Sequence, residues 1–118
     1  MENNFEYYFK CLLRVVNNLI EVTPFDLPNY ARENIANDIA NEWEFEYFTF
    51  YLNKLKDGGF DIKIIKELIK EICDVFNAMT NSNDKQLWTI EGFVNSNLWK
   101  SQRIRALNLK NNLLSMMV

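Results

Sequence analysis

At 118 residues, 48% of them hydrophobic and 14% aromatic, the chain is long and apolar enough for one domain with a real core, and an intrinsically disordered chain is excluded. The net charge of −3 argues against a general nucleic-acid binder and leaves basic partners open. Histidine is absent and there are only two cysteines, so Ser–His and Cys–His nucleophiles, common zinc sites and Glu-x-x-His di-iron bundles cannot be built.

In chain order, the first element is a helix from Glu2 to Val22, with Phe5, Phe9, Leu12, Val16, Leu19 and Ile20 at three- and four-residue steps. Glu2 and Glu6 stand where a secretory leader carries positive charge, and no run of about 18 apolar residues occurs. A cytoplasmic location without membrane contact is therefore expected. Cys11 and Cys73 lie within apolar helical patterns and read as buried free thiols. "TPFDLP" (Thr23 to Pro28) breaks the pattern, and Pro28 can open the next helix in its first turn. That helix is expected to run to Lys56 and stop at Gly58-Gly59, with Ile35, Ile39 and Trp43 on one stripe. It has a possible pause near Glu44, where "EFEYFTFYL" also alternates like a strand.

Asp61 then caps a helix whose inner stripe is Ile65, Leu68, Ile69, Ile72, Val75, Phe76 and Met79. Its other face mixes lysines with carboxylates, as solvated faces do. After a polar loop from Thr80 to Gln86, Thr89 caps the short helix "IEGFVN", which Gly92 weakens. Asn95 or Ser96 caps a last helix from Asn97 to about Met116, with Leu98, Trp99, Ala106, Leu107, Leu113 and Leu114 inward. No repeat or linker interrupts the chain, and the expectation is an all-α fold: residues 1–118 as a single bundle of about five helices.

Charge is distributed unevenly. From Glu21 to Glu46 seven carboxylates face only Arg32, a net of −6, whereas the part from Lys85 onward has a net of +4. The stretch "IANDIANEWEFEYF" (Ile35 to Phe48) alone holds four carboxylates and four aromatic rings. On a continuous helix Asp38, Glu42 and Glu46 would share one face, an arrangement that costs about 0.2–0.5 kcal/mol per like-charged pair. One reading is that the acidic and basic regions neutralise each other inside the fold, through Lys100, Arg103 or Arg105. The other is a surface that captures a basic protein. The candidate contacts are Asp38, Glu42, Glu44 and Glu46, with Tyr47 and Tyr51 expected as exposed aromatics near them. Trp43, Trp88 and Trp99 read as core anchors. The cations of the last helix read as a solvated face rather than an RNA-binding one, since no aromatic residues interleave them to stack on bases. Nothing in the pattern calls for a cofactor, a metal or a catalytic residue.

The "EWE" of Glu42 to Glu44, the "LWT-x-E" of Leu87 to Glu91 and the "S-x-x-W" of Ser96 to Trp99, followed by Arg103, Ala106 and Leu113, resemble a pattern in known proteins. It is that of small helical immunity proteins encoded beside bacterial polymorphic toxins, including those of contact-dependent growth inhibition. "DVFNAMT" (Asp74 to Thr80) also fits, so the resemblance covers the last two-thirds of the chain and leaves the first helix unmatched. It implies a non-enzymatic protein that binds and blocks one cognate toxin, often a nuclease, in a stoichiometric complex. The competing class is a small helical adaptor or regulator with a non-toxin partner.

Overall fold

The computed structural model describes residues 5–117, in backbone alone at residues 30 and 31. Regular structure among them is helical: α1 (Phe5–Glu21), a 3-10 turn (Pro24–Asp26), α2 (Asn29–Arg32), α3 (Ile35–Asn41), α4 (Phe45–Asp57), α5 (Lys63–Asn81), a second 3-10 turn (Lys85–Trp88), α6 (Ile90–Asn95) and α7 (Asn97–Met117). This is the expected all-α bundle, with its second helix divided into three. Glu2, where the first helix was expected to begin, lies outside the described residues. None of the described helices is long and apolar enough to cross a membrane.

The long helices bury most of their predicted stripes: Phe9, Leu12, Val16 and Leu19 of α1, joined by Val15, and Ile65, Ile69, Ile72, Phe76 and Met79 of α5, joined by Cys73. Phe5, Ile20, Leu68 and Val75 are half-buried at the edges. α1 packs on α7 and α4, and α5 packs on α7 and α4, so α7 and α4 are both shared by the two sides, with α7 making the more extensive contact. α6 and the Lys85–Trp88 turn pack on each other, on α3 and on α7, closing the bundle beside Trp99. The molecule is elongated, 48 × 28 × 21 Å.

Local chemistry sets most helix ends. The N–H of Gly59 donates to Lys56 O (2.9 Å) and that of Phe60 to Leu55 O (3.1 Å), which is the paired bonding of a Schellman stop. It needs a left-handed residue at Gly59, whose φ is +95°, and only glycine takes that without strain. Thr89 caps α6 as expected, its Oγ1 accepting from Gly92 N at 3.0 Å. Asp61 accepts from the Lys63 N–H at 3.2 Å at the head of α5, and Ser96 from the Leu98 N–H at 3.2 Å at the head of α7.

The continuous helix to Lys56 is not formed. The N–H groups of Glu42 and Trp43 bond back to Ile39 and Ala40, tightening the end of α3, and Glu44 is extended (φ −96°, ψ 121°) before α4 begins. The reason is packing. An unbroken helix that buried Ile35, Ile39 and Trp43 would next turn Glu46 and Phe50 inward. The break re-phases the chain so that Phe48, Leu52 and Leu55 enter the core, while Glu46 and Phe50 stay outside. Asp38, Glu42 and Glu46 therefore do not share one helical face.

A second correction concerns α7. Its buried residues are Trp99, Gln102, Ala106, Leu109 and Leu113, whereas Leu98, Leu107 and Leu114, expected inward, are exposed. Trp99 is enclosed by Phe93, Phe76 and Trp88 at ring separations of 4.7, 5.3 and 6.0 Å, and its indole N–H donates to Leu87 O at 2.8 Å. Fully buried Gln102 is satisfied on both sides, donating from Nε2 to Ile72 O (2.9 Å) and accepting from Arg105 Nη1 at Oε1 (3.1 Å).

Cys73 is buried as predicted, and Cys11 is half-buried; both are free thiols. Burial pushes the Cys73 thiol up to about 12, with Asp74 adding to the shift and Lys70 opposing it. A raised folded-state value means that stability is complete below the unfolded value of 9.0 and is lost as pH rises from there toward 12. The melting temperature should fall over that window, and Cys73→Ala should flatten the fall. An unchanged slope in the variant would assign the alkaline loss to other groups.

Candidate functional site

The most distinctive surface lies where α4 crosses α1. Tyr47, Phe50 and Tyr51 of α4 meet Tyr7 and Tyr8 of α1, with Tyr51 at the hub: its ring lies 5.1 Å from both Tyr47 and Phe50, 6.1 Å from Tyr8 and 6.5 Å from Tyr7. Pairs of this kind hold one another in tilted and edge-on contacts worth about 0.5–1.5 kcal/mol each. Tyr7 and Phe50 are nonetheless 59% and 56% exposed, so the cluster is a preformed aromatic face and not a buried core. Interaction with the Cys11 side chain raises the Tyr7 and Tyr51 phenols above the ordinary tyrosine range.

Tyr47 is the least free of the five. Its hydroxyl donates to Cys11 O (3.3 Å) and accepts from Arg14 Nη2 (3.1 Å), a bond that raises the Arg14 guanidinium further. Arg14 also lies 3.8 Å from Glu42, whose two carboxylate oxygens accept from Asn18 Nδ2 at 3.3 and 3.2 Å. Glu42 is thus half-buried and engaged with α1, an internal partner instead of a surface charge.

Asp38, Glu44 and Glu46 differ from it. All three are exposed, and none makes an ion pair among the described residues. Glu46 precedes Phe50 by one helical turn and borders the aromatic face, where Lys54 lies over the Phe50 ring at 5.4 Å. Glu44, set outward by the break between α3 and α4, stands on a ridge between two clefts. The smaller, about 200 Å³, opens toward Arg14, Val15 and Tyr47. The larger, about 310 Å³, opens the other way, between α3, α5 and Trp88.

The basic C-terminal region answers little of this charge. Lys110 reaches Glu21 at 3.6 Å, but Arg105 pairs with Glu71 of α5 at 3.1 Å, and Arg103 donates to Phe93 O with its guanidinium 4.7 Å from the Phe93 ring. Burial lowers Arg103 from its ordinary value. The pairing of Lys100, Arg103 or Arg105 with the acidic stretch is not what the fold adopts.

Of the six candidate residues, the structure brings Tyr47, Tyr51 and Glu46 together on one face, puts Glu44 at its edge and turns Glu42 inward. Tyr47 and Tyr51, expected to be exposed, are half-buried because they also pack against the core. Asp38 is exposed on α3. Tyr7, Tyr8 and Phe50 complete the face and were missed. Only Tyr7 carried a signal, since it falls off the Phe9/Leu12/Val16 stripe; Tyr8 lies on that stripe, four residues before Leu12, and packs half-buried against the core. No cluster of three Cys, Asp or Glu side chains able to hold a metal occurs among the described residues. In comparisons with known proteins, no family model, no curated protein and no solved structure matches this chain.

Proposed function

We propose that this protein is an immunity protein, which binds a cognate bacterial toxin domain directly and neutralises it in a stoichiometric complex. The observation that carries the reading is the partly exposed aromatic face of α1 and α4, with Tyr7 and Phe50 outermost, bordered by the unpaired carboxylates Glu44 and Glu46. Tyrosines bring large contact area with few rotatable bonds, and binding hot spots concentrate in such residues. The carboxylates suit a basic partner, such as a nuclease with a cationic substrate groove, and raise its rate of encounter. Another exposed apolar surface, Ile104, Leu107 and Leu114 of α7, fits such a partner less well, because that helix carries four cations and no acid.

Co-expression should rescue cells from the toxin, and a one-to-one complex should survive gel filtration. Rescue by amounts far below the toxin's would mean enzymatic inactivation and overturn the reading. Reversing both Glu44 and Glu46 to Lys should slow association by roughly tenfold or more at low salt, with the difference shrinking as salt rises. The fold should survive, because neither carboxylate has an ionic partner to lose. Unchanged binding in the folded variant would move the interface elsewhere, to the α7 face. Glu42→Lys belongs to a different kind of variant. It removes the Asn18 bonds and faces Arg14, so it should lower stability by about 1–3 kcal/mol.

A further inference from the structure

We infer that the larger cleft beside Glu44 receives an arginine side chain. The inference rests on the reading above for the identity of the protein that presents the arginine, not for the cleft's chemistry. The cleft's floor is aromatic, formed by Trp43, Phe76 and Trp88, and its wall and rim are polar, with Asn37, Asn77 and Glu44 among them. Trp43 and Phe76 are buried, while Trp88 is half-buried and offers ring surface to an entering group. The asparagine amides make no hydrogen bonds within the described protein, and Glu44 makes no ion pair there. At about 310 Å³ the cleft lies at the low end of small-ligand sites, a size for one side chain rather than a large cofactor.

These features select a guanidinium. It is planar and stacks on an indole face, and its five N–H donors spread in a plane can meet amide oxygens and a carboxylate together. A lysine ammonium has three donors and no plane to stack. A phosphate or nucleotide would meet the Glu44 charge, and an apolar side chain would leave the amides and the carboxylate desolvated without partners. Continuity points to a protein as the source. Glu44 borders both this cleft and the one toward Tyr47, so a partner lying on the tyrosine face reaches the cleft over a single ridge.

The test uses the free protein labelled with nitrogen-15 and two small probes, N-acetyl-arginine methylamide and its neutral urea counterpart, N-acetyl-citrulline methylamide. The Trp88 and Trp43 indole N–H resonances report the floor. The Trp43 N–H is well suited to this, since it is shielded from solvent and has no acceptor. The arginine probe should shift both resonances saturably, with a Kd on the order of 1 mM or weaker, as a lone cation–π contact and one ion pair imply. The citrulline probe should bind at least several-fold more weakly. Glu44→Gln, a change at an exposed side chain that leaves the fold alone, should weaken the arginine probe several-fold, and Trp88→Leu should abolish its binding with the helical circular dichroism retained. Equal shifts from both probes, no saturable shift, or an unchanged response in Glu44→Gln would overturn the inference. Failure of the arginine probe alongside an intact toxin complex removes the cleft assignment alone. Binding of the probe without toxin neutralisation removes the immunity reading and leaves the arginine site standing.

Discussion

Trp99→Ala should lower the unfolding free energy by about 3–5 kcal/mol, a large share of the total for a domain of this size. Three penalties coincide at this position. The ring is fully buried, so its removal leaves a cavity among Phe76, Trp88 and Phe93. Loss of the indole N–H also strips Leu87 O of its 2.8 Å donor and loosens the Lys85–Trp88 turn. Finally, Trp99 sits on a helix that both halves of the bundle share, so the damage is not confined to one contact. Urea denaturation followed by circular dichroism measures the difference. Trp43→Ala should approach the same cost, since that ring is 5% exposed and lies 4.9 Å from Phe48. Trp88→Ala should cost distinctly less, because Trp88 is only half-buried. Equal losses at all three would mean that Trp88 is as enclosed as the other two; an unchanged Trp99→Ala would contradict the packing described for α7.

Gly92→Ala should be the most damaging of the glycine-to-alanine changes, at about 1–3 kcal/mol. A β-carbon there would fall inside the van der Waals envelope of the Gln86 carbonyl oxygen, with the Gln86 carbonyl carbon and Leu87 Cα close behind. Backbone cannot rotate away as a side chain can, so either the Lys85–Trp88 turn or α6 must shift, and with it Trp88 on the cleft floor. Helix propensity alone predicts the opposite sign, since alanine is favoured over glycine within a helix by about 1 kcal/mol. A melting temperature raised by Gly92→Ala would therefore show that the close approach is absent. Gly58→Ala makes a useful comparison. Its added carbon would meet the ring of Phe5, a side chain that can move, and the cost should be smaller.

Gly92 shows how far local reading reaches. From sequence it is a weak point in a short helix, and in the fold it is what lets a turn lie against that helix. The two views differ because helix propensity ignores the preceding turn, in which Asp84 and Thr89 hydrogen-bond Gln86 and so hold its carbonyl against Gly92. The same limit applies to the acidic stretch. Four-residue spacing put Asp38, Glu42 and Glu46 on one face, but spacing carries that meaning only within an unbroken helix. Burial of Phe48, Leu52 and Leu55 broke it. Glu42 then turned toward Asn18 and Arg14, residues 24 and 28 positions earlier in the chain that no local pattern connects to it.

What the sequence by itself determined was the all-helical class, the glycine stop after α4, the Thr89 cap and the inner stripes of α1 and α5. In each case a single periodicity or a local hydrogen bond decides, and no competing arrangement buries as much apolar surface. Tyr47 and Tyr51, expected as exposed aromatics, instead pack half-buried against the core, which their place among carboxylates does not reveal. Only the tertiary structure decided the inward face of α7. That helix is apolar on two sides, with Leu98, Leu107 and Leu114 competing against a stripe containing a glutamine, and periodicity is satisfied by either. The choice falls to shape and polar satisfaction: Trp99 fills the space between α5 and α6, and Gln102 finds both its partners at Ile72 and Arg105, so the stripe that looked less hydrophobic is the one that packs. The aromatic face itself arises the same way, since Tyr7 and Tyr8 reach Tyr51 only when α1 and α4 pack together, more than 40 residues apart in the chain.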